Sequence, residues 1–423
     1  MRIKSLKVCR NCRKKFLVPF LDFGKQPNGN RLTRAISDEI FHDLSFGYCK
    51  SCTSIQILKQ VHPKKMFDDH PYLTSTSKPY LEDLQKLVEK IYERVPLKKG
   101  DSVLDIGCND GTLLSIFKAR QLVTLGVDPS KTAKKHSVLK DINVIQSYWT
   151  NDLAESLLSQ GVKPKLIIST ASFYHMSSIR DWVSGVEKCL DDEGMFVAQL
   201  VSMQDIFEKN SFDQFYHEHT YIHSLHSLIK LFQGTSMKIV DVIHNDSQGG
   251  SYIIFVAKIN SSFEVKQSIQ HYLNNEKMGG LGGEYFYKQF NSQFLEKKES
   301  IHNFFSKLAL NSIVCAGAGA SLRGISLINY CGLSSDNIKE IVEVNPEKIG
   351  LLTPKSHIPI VSNFSTDLCP QLIVILSWTF REHFIKIYED YTNSGGTLFF
   401  PDKQPFFYGY KDDFFLKLYL EKS

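Results

Sequence analysis

At 423 residues the chain exceeds what one hydrophobic core usually organises, so two or three domains are expected. Its 42% hydrophobic and 22% charged residues are those of a globular protein, and a net charge of +5 fits anionic small substrates better than the dense basic surface of a nucleic-acid binder. No apolar run reaches membrane length and Met1 to Lys7 has no apolar stretch behind it, so a cytoplasmic chain without span or leader is expected.

Of the nine cysteines, Cys9 and Cys12 form one C-x-x-C pair and Cys49 and Cys52 another. Two such pairs put four thiolates on one tetrahedral ion, which predicts structural Zn2+ and not chemistry at the metal. Between the pairs lie Phe16, Phe20, Leu21, Phe23 and the turn Gln26-Pro27-Asn28-Gly29-Asn30, too few apolar residues for an independent core. Metal binding would supply the missing stability, and residues 1–66 read as a small zinc-binding domain. Its basic residues Lys4, Lys7, Arg10, Arg13, Lys14 and Lys15 read as solvated charge, with RNA contact as the alternative.

Residues 67–261 read as a nucleotide-binding α/β domain. Helical spacing runs over Tyr80 to Arg94, and the strand Ser102 to Ile106 ends in Gly107-Cys108-Asn109-Asp110-Gly111 before a helix from Thr112 to Arg120. The spacing D-x-G-x-x-x-G, from Asp105 through Gly107 to Gly111, differs from the dinucleotide fingerprint and leaves room for the amino-acid part of S-adenosylmethionine (SAM). A second strand ends at Asp128, placed to bind ribose hydroxyls. Further strands are expected at Asn143 to Gln146, Leu166 to Ser169 and Met195 to Leu200, with Gln199 at the end of the last on the cofactor side. Lys238 to Ile243 and Ser251 to Lys258, joined at Asn245 to Gly250, read as a hairpin. A mainly parallel seven-stranded, Rossmann-like sheet finished by an antiparallel hairpin is the class I SAM-dependent methyltransferase pattern.

After the fifth strand, Phe215-Tyr216-His217-Glu218-His219 crowds a phenol, a carboxylate and two imidazoles into five residues, which suits proton transfer. A metal reading needs His219, His223 and His226 on one helix face, but the H-E-x-x-H order is absent.

Residues 262–423 read as a second Rossmann-like α/β domain. Helical sequence from Phe263 to Leu308, broken at Gly279 to Gly283, leads to a strand at Ser312 to Ala316 and the turn Gly317-Ala318-Gly319-Ala320-Ser321-Leu322-Arg323-Gly324. Small residues there let backbone amides approach an anion that Arg323 could pair with; close helix–strand packing is the alternative. Strands are expected at Ile338 to Val344, Leu372 to Leu376 and Gly395 to Phe400.

In this order, QPxxN between the cysteine pairs, VLDIGCNDGTLL, GVDPS, FDQFYHEHTY, Gln248-Gly249-Gly250-Ser251, Asn345-Pro346 and His357-Ile358-Pro359-Ile360 resemble the C-methyltransferases of nucleotide-activated deoxysugar biosynthesis along nearly the whole chain. The resemblance implies transfer of a methyl group to a carbon next to the ketone of a nucleotide-linked 4-keto-6-deoxysugar, usually TDP-linked. It makes His219 the base, with Tyr216 and Glu218 orienting the substrate or assisting proton movement. It also implies substrate contacts at Tyr72, Ser321, Arg323, Glu343, Lys348 and His357. The chain departs from the family at Thr170 to His175, where an Asn is common, at Arg323, where Lys is frequent, and at Lys355, where a small residue is frequent. A monomer is expected, with no membrane or nucleic-acid partner. Two rival readings are an RNA methyltransferase gripping RNA with its zinc domain and a non-catalytic sugar-nucleotide-binding module.

Overall fold

The computed structural model describes residues 8–421, so Lys4 and Lys7 of the basic set lie outside the described residues. The strands in chain order are β1 (Leu17–Pro27), β2 (Phe41–Cys49), β3 (Ile55–Ile57), β4 (Ser102–Ile106), β5 (Val123–Asp128), β6 (Val144–Gln146), β7 (Leu166–Thr170), β8 (Met195–Val201), β9 (Tyr221–Ile222), β10 (Met237–Asn245) and β11 (Ser251–Lys258). They continue as β12 (Cys315–Ala318), β13 (Ile341–Val342), β14 (Ile360–Val361), β15 (Leu372–Ile375), β16 (Thr397–Phe400) and β17 (Phe406–Gly409). Three sheets result, in the orders β1-β2-β3-β9, β10-β11-β8-β7-β4-β5-β6 and β14-β13-β12-β15-β16-β17.

Contacts gather the chain into two compact units, each built from separated segments. One holds residues up to Phe20, Ser45–Asp205 and His217–Phe286; the other holds Leu21–Leu44, Ile206–Tyr216 and the chain from Tyr287 on.

In the first unit, β4, β5, β6, β7 and β8 are parallel, and β11 runs antiparallel to both β8 and β10. Val103, Leu104 and Ile106 of β4 and Leu166, Ile167 and Ile168 of β7 are buried, as expected of parallel strands covered on both faces. The chain reverses direction across the sheet at β4, which pairs with both β5 and β7, so the carboxyl ends of these strands open a crevice. The expected hairpin is present, with Asn245 opposite Ser251 and Gln248 at φ 56° in its turn. A helix over Asn151–Ser159 lies outside the sequence expectations; its few buried positions, Ala154 and Leu157, make a weak pattern, and the Thr150 hydroxyl caps it.

The zinc-side segment also forms strands that its composition did not announce. Ile55 and Gln56 of β3 pair with Ile222 and Tyr221 of β9, so a two-residue strand just past the FYHEH motif is held by the chain that follows the second cysteine pair.

In the second unit, β12 to β16 are parallel in the order β14-β13-β12-β15-β16, closed by the antiparallel β17. This is the doubly wound arrangement, with its switch point at β12. The expected strand over Ile338 to Val344 narrows to Ile341–Val342. Phe23, Phe212, Phe215, Phe294 and Tyr330 explain why distant segments gather here. Phe23 lies 4.4 Å from the Tyr330 ring and 4.9 Å from Phe294, Phe212 lies 4.9 Å from Phe294, and the Tyr330 hydroxyl donates to the Phe215 carbonyl at 2.5 Å. Such rings contribute large apolar area with specific packing.

Candidate active site and zinc cluster

The two cysteine pairs converge. The sulfurs of Cys9, Cys12, Cys49 and Cys52 all lie within 4.8 Å of one another, with Cys9–Cys52 and Cys12–Cys49 each at 3.6 Å. The two knuckles repeat one geometry. Arg13 N–H donates to the Cys9 carbonyl and Thr53 N–H to the Cys49 carbonyl, each at 2.8 Å, and both residues are left-handed, at φ 64° and 62°. Gln56 Nε2 donates to Cys9 Sγ at 2.8 Å and Asn11 Nδ2 to Cys52 Sγ at 3.4 Å, as thiolate ligands require. Four convergent sulfurs with donors aimed at them fit Zn2+ in a closed sphere.

The cluster also braces the chain beyond FYHEH. Ile57 N–H donates to the Thr220 carbonyl at 3.0 Å, Thr53 Oγ1 lies 2.6 Å from Ser224 Oγ, and Asn11 Nδ2 reaches the Ser227 carbonyl at 2.9 Å. Arg10 donates to Gln60 Oε1 and the Ile57 carbonyl, both at 2.7 Å, with its guanidinium 5.1 Å from the Tyr221 ring. Its charge therefore serves the fold and is not presented to a polyanion.

The cofactor turn follows β4. Gly107 stands at φ 79°, and a Cβ there would lie 2.3 Å from Ser172 Oγ, so conformation and packing both demand glycine. Gly111, at φ 75°, packs on Ile142. Asp128 accepts from Asn109 N–H at 2.9 Å and Ser130 N–H at 2.8 Å, which fixes the acid at the end of β5. Gln199 is buried on β8, and its carbonyl accepts from Ala171 N–H at 3.0 Å. Asp105 is 1% exposed and its Oδ1 is buried without a partner, which suits the ammonium of SAM.

Burial, reinforced by Asp128, pushes the Asp105 carboxyl up to about 8. An acid with a folded pKa above its unfolded value of about 4 binds more protons in the fold, so stability falls as pH rises across that interval. Asp105→Asn in the SAM-free protein is therefore expected to melt higher than wild type at pH 9, with the difference vanishing toward pH 4. Thermal unfolding of both across pH checks this, and parallel curves would refute it.

The segment before the domain is tied to the same turn. Asn109 Nδ2 donates to the Tyr72 carbonyl and Asn109 Oδ1 accepts from Thr74 N–H, both at 2.9 Å, while Asp110 Oδ2 accepts from Ser75 Oγ at 2.5 Å and pairs with Lys140 at 2.8 Å. Tyr72 thus lies beside the cofactor turn, its phenol pKa raised by burial.

His217, Glu218 and His219 are buried in the first unit; Tyr216, half-buried, is the last residue of its segment in the second. The His219 ring meets Tyr174 edge-on at 4.8 Å and stacks on His175 at 5.4 Å. His175 has a buried Nε2 without a partner, and burial lowers its pKa to about 4 against the opposing pull of Glu218. His70 Nε2 lies 3.2 Å from Glu218 Oε2. His70 and His175 carry no proton-transfer motif in the sequence, because each is a lone histidine brought in by a distant segment. The Thr170 to His175 departure from the family pattern thus supplies Ser172 against Gly107 and His175 against His219. The helical metal reading fails: Tyr221–Ile222 is a strand, the next helix starts at Leu225, and His223 is buried against Ser227 Oγ at 3.0 Å.

In the second unit, Ser321 caps the helix Leu322–Tyr330, accepting from Gly324 N–H at 3.0 Å. Arg323, expected to pair with an anion, is ion-paired through Nε to the buried Asp213 at 2.5 Å. A Cβ on Gly324 would lie 2.4 Å from that of Leu376, so this glycine serves close helix–strand packing. Lys348 donates to the Ala320 carbonyl at 2.8 Å and lies 3.8 Å from Glu343, beside the switch point. His357, left-handed at φ 54°, pairs with Glu39 at 3.1 Å.

A seven-stranded sheet in this strand order, with a glycine turn after β4 and an acid at the end of β5, defines a class I SAM-dependent methyltransferase. Three family models match in turn: a zinc binding domain at residues 9–67, a methyltransferase domain at 80–242 and the C-methyltransferase C-terminal domain at 246–401. The chain thus carries these three parts in the order zinc binding, methyltransferase and C-methyltransferase C-terminal domain. C-methyltransferase NovU of Streptomyces niveus is 25% identical over 407 residues, spanning 95% of this chain and 97% of that protein. The ubiquinone biosynthesis O-methyltransferase of Bartonella quintana (strain Toulouse) is 30% identical over 103 residues, 23% of this chain and 40% of that one. Among solved structures, the magnesium protoporphyrin IX methyltransferase ChlM of Synechocystis PCC 6803 with bound SAM matches at 14% identity and TM-score 0.33, over 42% of this chain and 79% of that one.

Proposed function

We propose that this C-methyltransferase acts in the cytoplasm on a nucleotide-linked 4-keto-6-deoxysugar, removing a proton from the carbon next to the ketone and methylating that carbon. The observation that carries the reading is the buried His219, set after β8 against Tyr174 and His175. The spanning match to a C-methyltransferase supports carbon as the acceptor.

Carbon attack needs a base and a stabilised enolate. His219 takes the proton from the α-carbon onto its imidazole, the side chain most often used as a general base. His175, with its lowered pKa, stays neutral near pH 7 and imposes no like-charge penalty on the protonated His219. Glu218 offsets the new positive charge, and Tyr216 with Glu218 orients the substrate. SAM, when bound, supplies the electrophilic methyl group. Asp105, Gly107, Gly111, Asp128 and Gln199 form its pocket, and the closed four-thiolate site holds structure only. Residues 1–66, 67–261 and 262–423 divide the work into zinc support, methyl transfer and grip on the nucleotide end. Ser321, Arg323, Glu343, Lys348 and His357 serve that grip and Tyr72 covers the sugar, so that binding energy from the remote diphosphate fixes the reacting carbon.

The test is incubation of the purified, zinc-loaded protein with SAM and TDP-, GDP- and CDP-linked 4-keto-6-deoxysugars, read by mass spectrometry. Addition of one methyl group to a sugar nucleotide is expected; SAM binding without transfer to any of them would refute the substrate class.

A further inference from the structure

We propose that His70 is a positioning residue for the methyl-transfer reaction: it sets the orientation of Glu218 and ties that carboxylate to the cofactor turn. The proposal rests on the methyl-transfer reading above. Its physical basis is the two-sided hydrogen bonding of one imidazole. Tyr72 N–H donates to His70 Nδ1 at 3.3 Å, so in the neutral ring the proton resides on Nε2. That nitrogen faces Glu218 Oε2 at 3.2 Å, in a pair whose side chains are 14% and 4% exposed. A buried N–H aimed at a carboxylate is a charge-assisted bond, stronger than a neutral one and more directional than ion pairing alone.

The ring is held on its other sides. His70 stacks on Phe67 at 6.0 Å, Phe67 stacks on His175 at 5.6 Å, and His175 stacks on His219, so four rings in series connect His70 to the base. The backbone around His70 is anchored to the two loops that shape the cofactor pocket. Ser130 Oγ donates to the His70 carbonyl at 3.3 Å, two residues past Asp128, and Asn109 holds both Tyr72 and Thr74. His70 is thus the side chain by which a strap seated on the cofactor turn reaches the acid of the FYHEH motif. Second-layer partners of this kind fix a working group whose own rotamer would otherwise drift.

Two measurements on the zinc-loaded, full-length protein test the proposal. The first uses no substrate: imidazole 15N spectra are recorded for wild type and Glu218→Gln. The Nε2-protonated tautomer is expected for His70, with a shift of its Nε2 signal in the variant. An Nδ1-protonated ring, or a signal indifferent to Glu218→Gln, would overturn the contact. The second compares His70→Leu with His70→Gln, which can place an amide N–H where Nε2–H stood. His70→Leu is expected to lower kcat roughly 10- to 100-fold, as loss of a charge-assisted hydrogen bond does, with KM for SAM little changed, and His70→Gln to regain most of it. Unchanged kcat in His70→Leu, or equal loss in both variants, would overturn the positioning role. If wild type methylates none of the sugar nucleotides, the substrate reading fails, and the spectra still decide whether His70 holds Glu218.

Discussion

Replacing His219 with Asn is expected to lower turnover by roughly 10²- to 10⁴-fold, the usual range for a positioned general base, while leaving SAM affinity unchanged. The separation of the two effects follows from geometry. His219 packs on Tyr174 and His175, whereas Gly107 packs on Ser172 and Asp128 is fixed by the Asn109 and Ser130 amides. Asn keeps a polar side chain in a site where His219 is 2% exposed, but it cannot take up a proton near neutral pH. Single-turnover transfer measured beside calorimetric SAM binding distinguishes the two quantities. Wild-type turnover in the variant would remove His219 from the mechanism, and lost SAM binding would assign it to the pocket instead.

Removal of zinc is expected to abolish transfer as well as to destabilise the protein. Metal release leaves four thiols with no shared ion in a segment lacking a core of its own, and structural zinc in small domains contributes about 10–16 kcal/mol of binding free energy. The consequence reaches the active site because the cysteine-bearing chain holds Thr220, Tyr221, Ser224 and Ser227, the residues just past His219. A chelator, or Cys52→Ser, should therefore lower the melting temperature and the turnover together, with one zinc per chain measured in the active protein. Full activity in a zinc-free preparation would show that the knuckles are dispensable for catalysis.

Several features are legible in the residues alone because their chemistry is local. Two C-x-x-C pairs need only a short turn each to present their sulfurs. The turn from Asp105 to Gly111 needs glycine where the backbone is left-handed, and the hairpin after Asn245 needs its glycine-containing turn. The parallel strands of the seven-stranded sheet are readable for a related reason: a parallel strand covered on both faces is a continuous apolar run. Strands β3 and β9 are not, since they are three and two residues long and acquire their meaning only by pairing with each other. Nor is the gathering of Leu21–Leu44 and Ile206–Tyr216 with the C-terminal chain, which depends on rings from three separate segments.

The candidate site divides along the same line. The residue types of FYHEH marked it as proton-transfer chemistry, and the family resemblance assigned the base. Which side chains meet the motif was decided by tertiary structure alone: His175 arrives from the end of β7 against His219, and His70 from the segment before the domain against Glu218. Arg323 shows the converse, a charge that sequence offers to a ligand and the fold first commits to Asp213. The sequence by itself determined the four-cysteine set, the glycine turn after β4 and the candidate pentapeptide, because each is a short-range pattern of residue type and spacing. The tertiary structure decided the partners of each buried charge and imidazole, because desolvation and hydrogen bonding depend on what distant chain is folded against them.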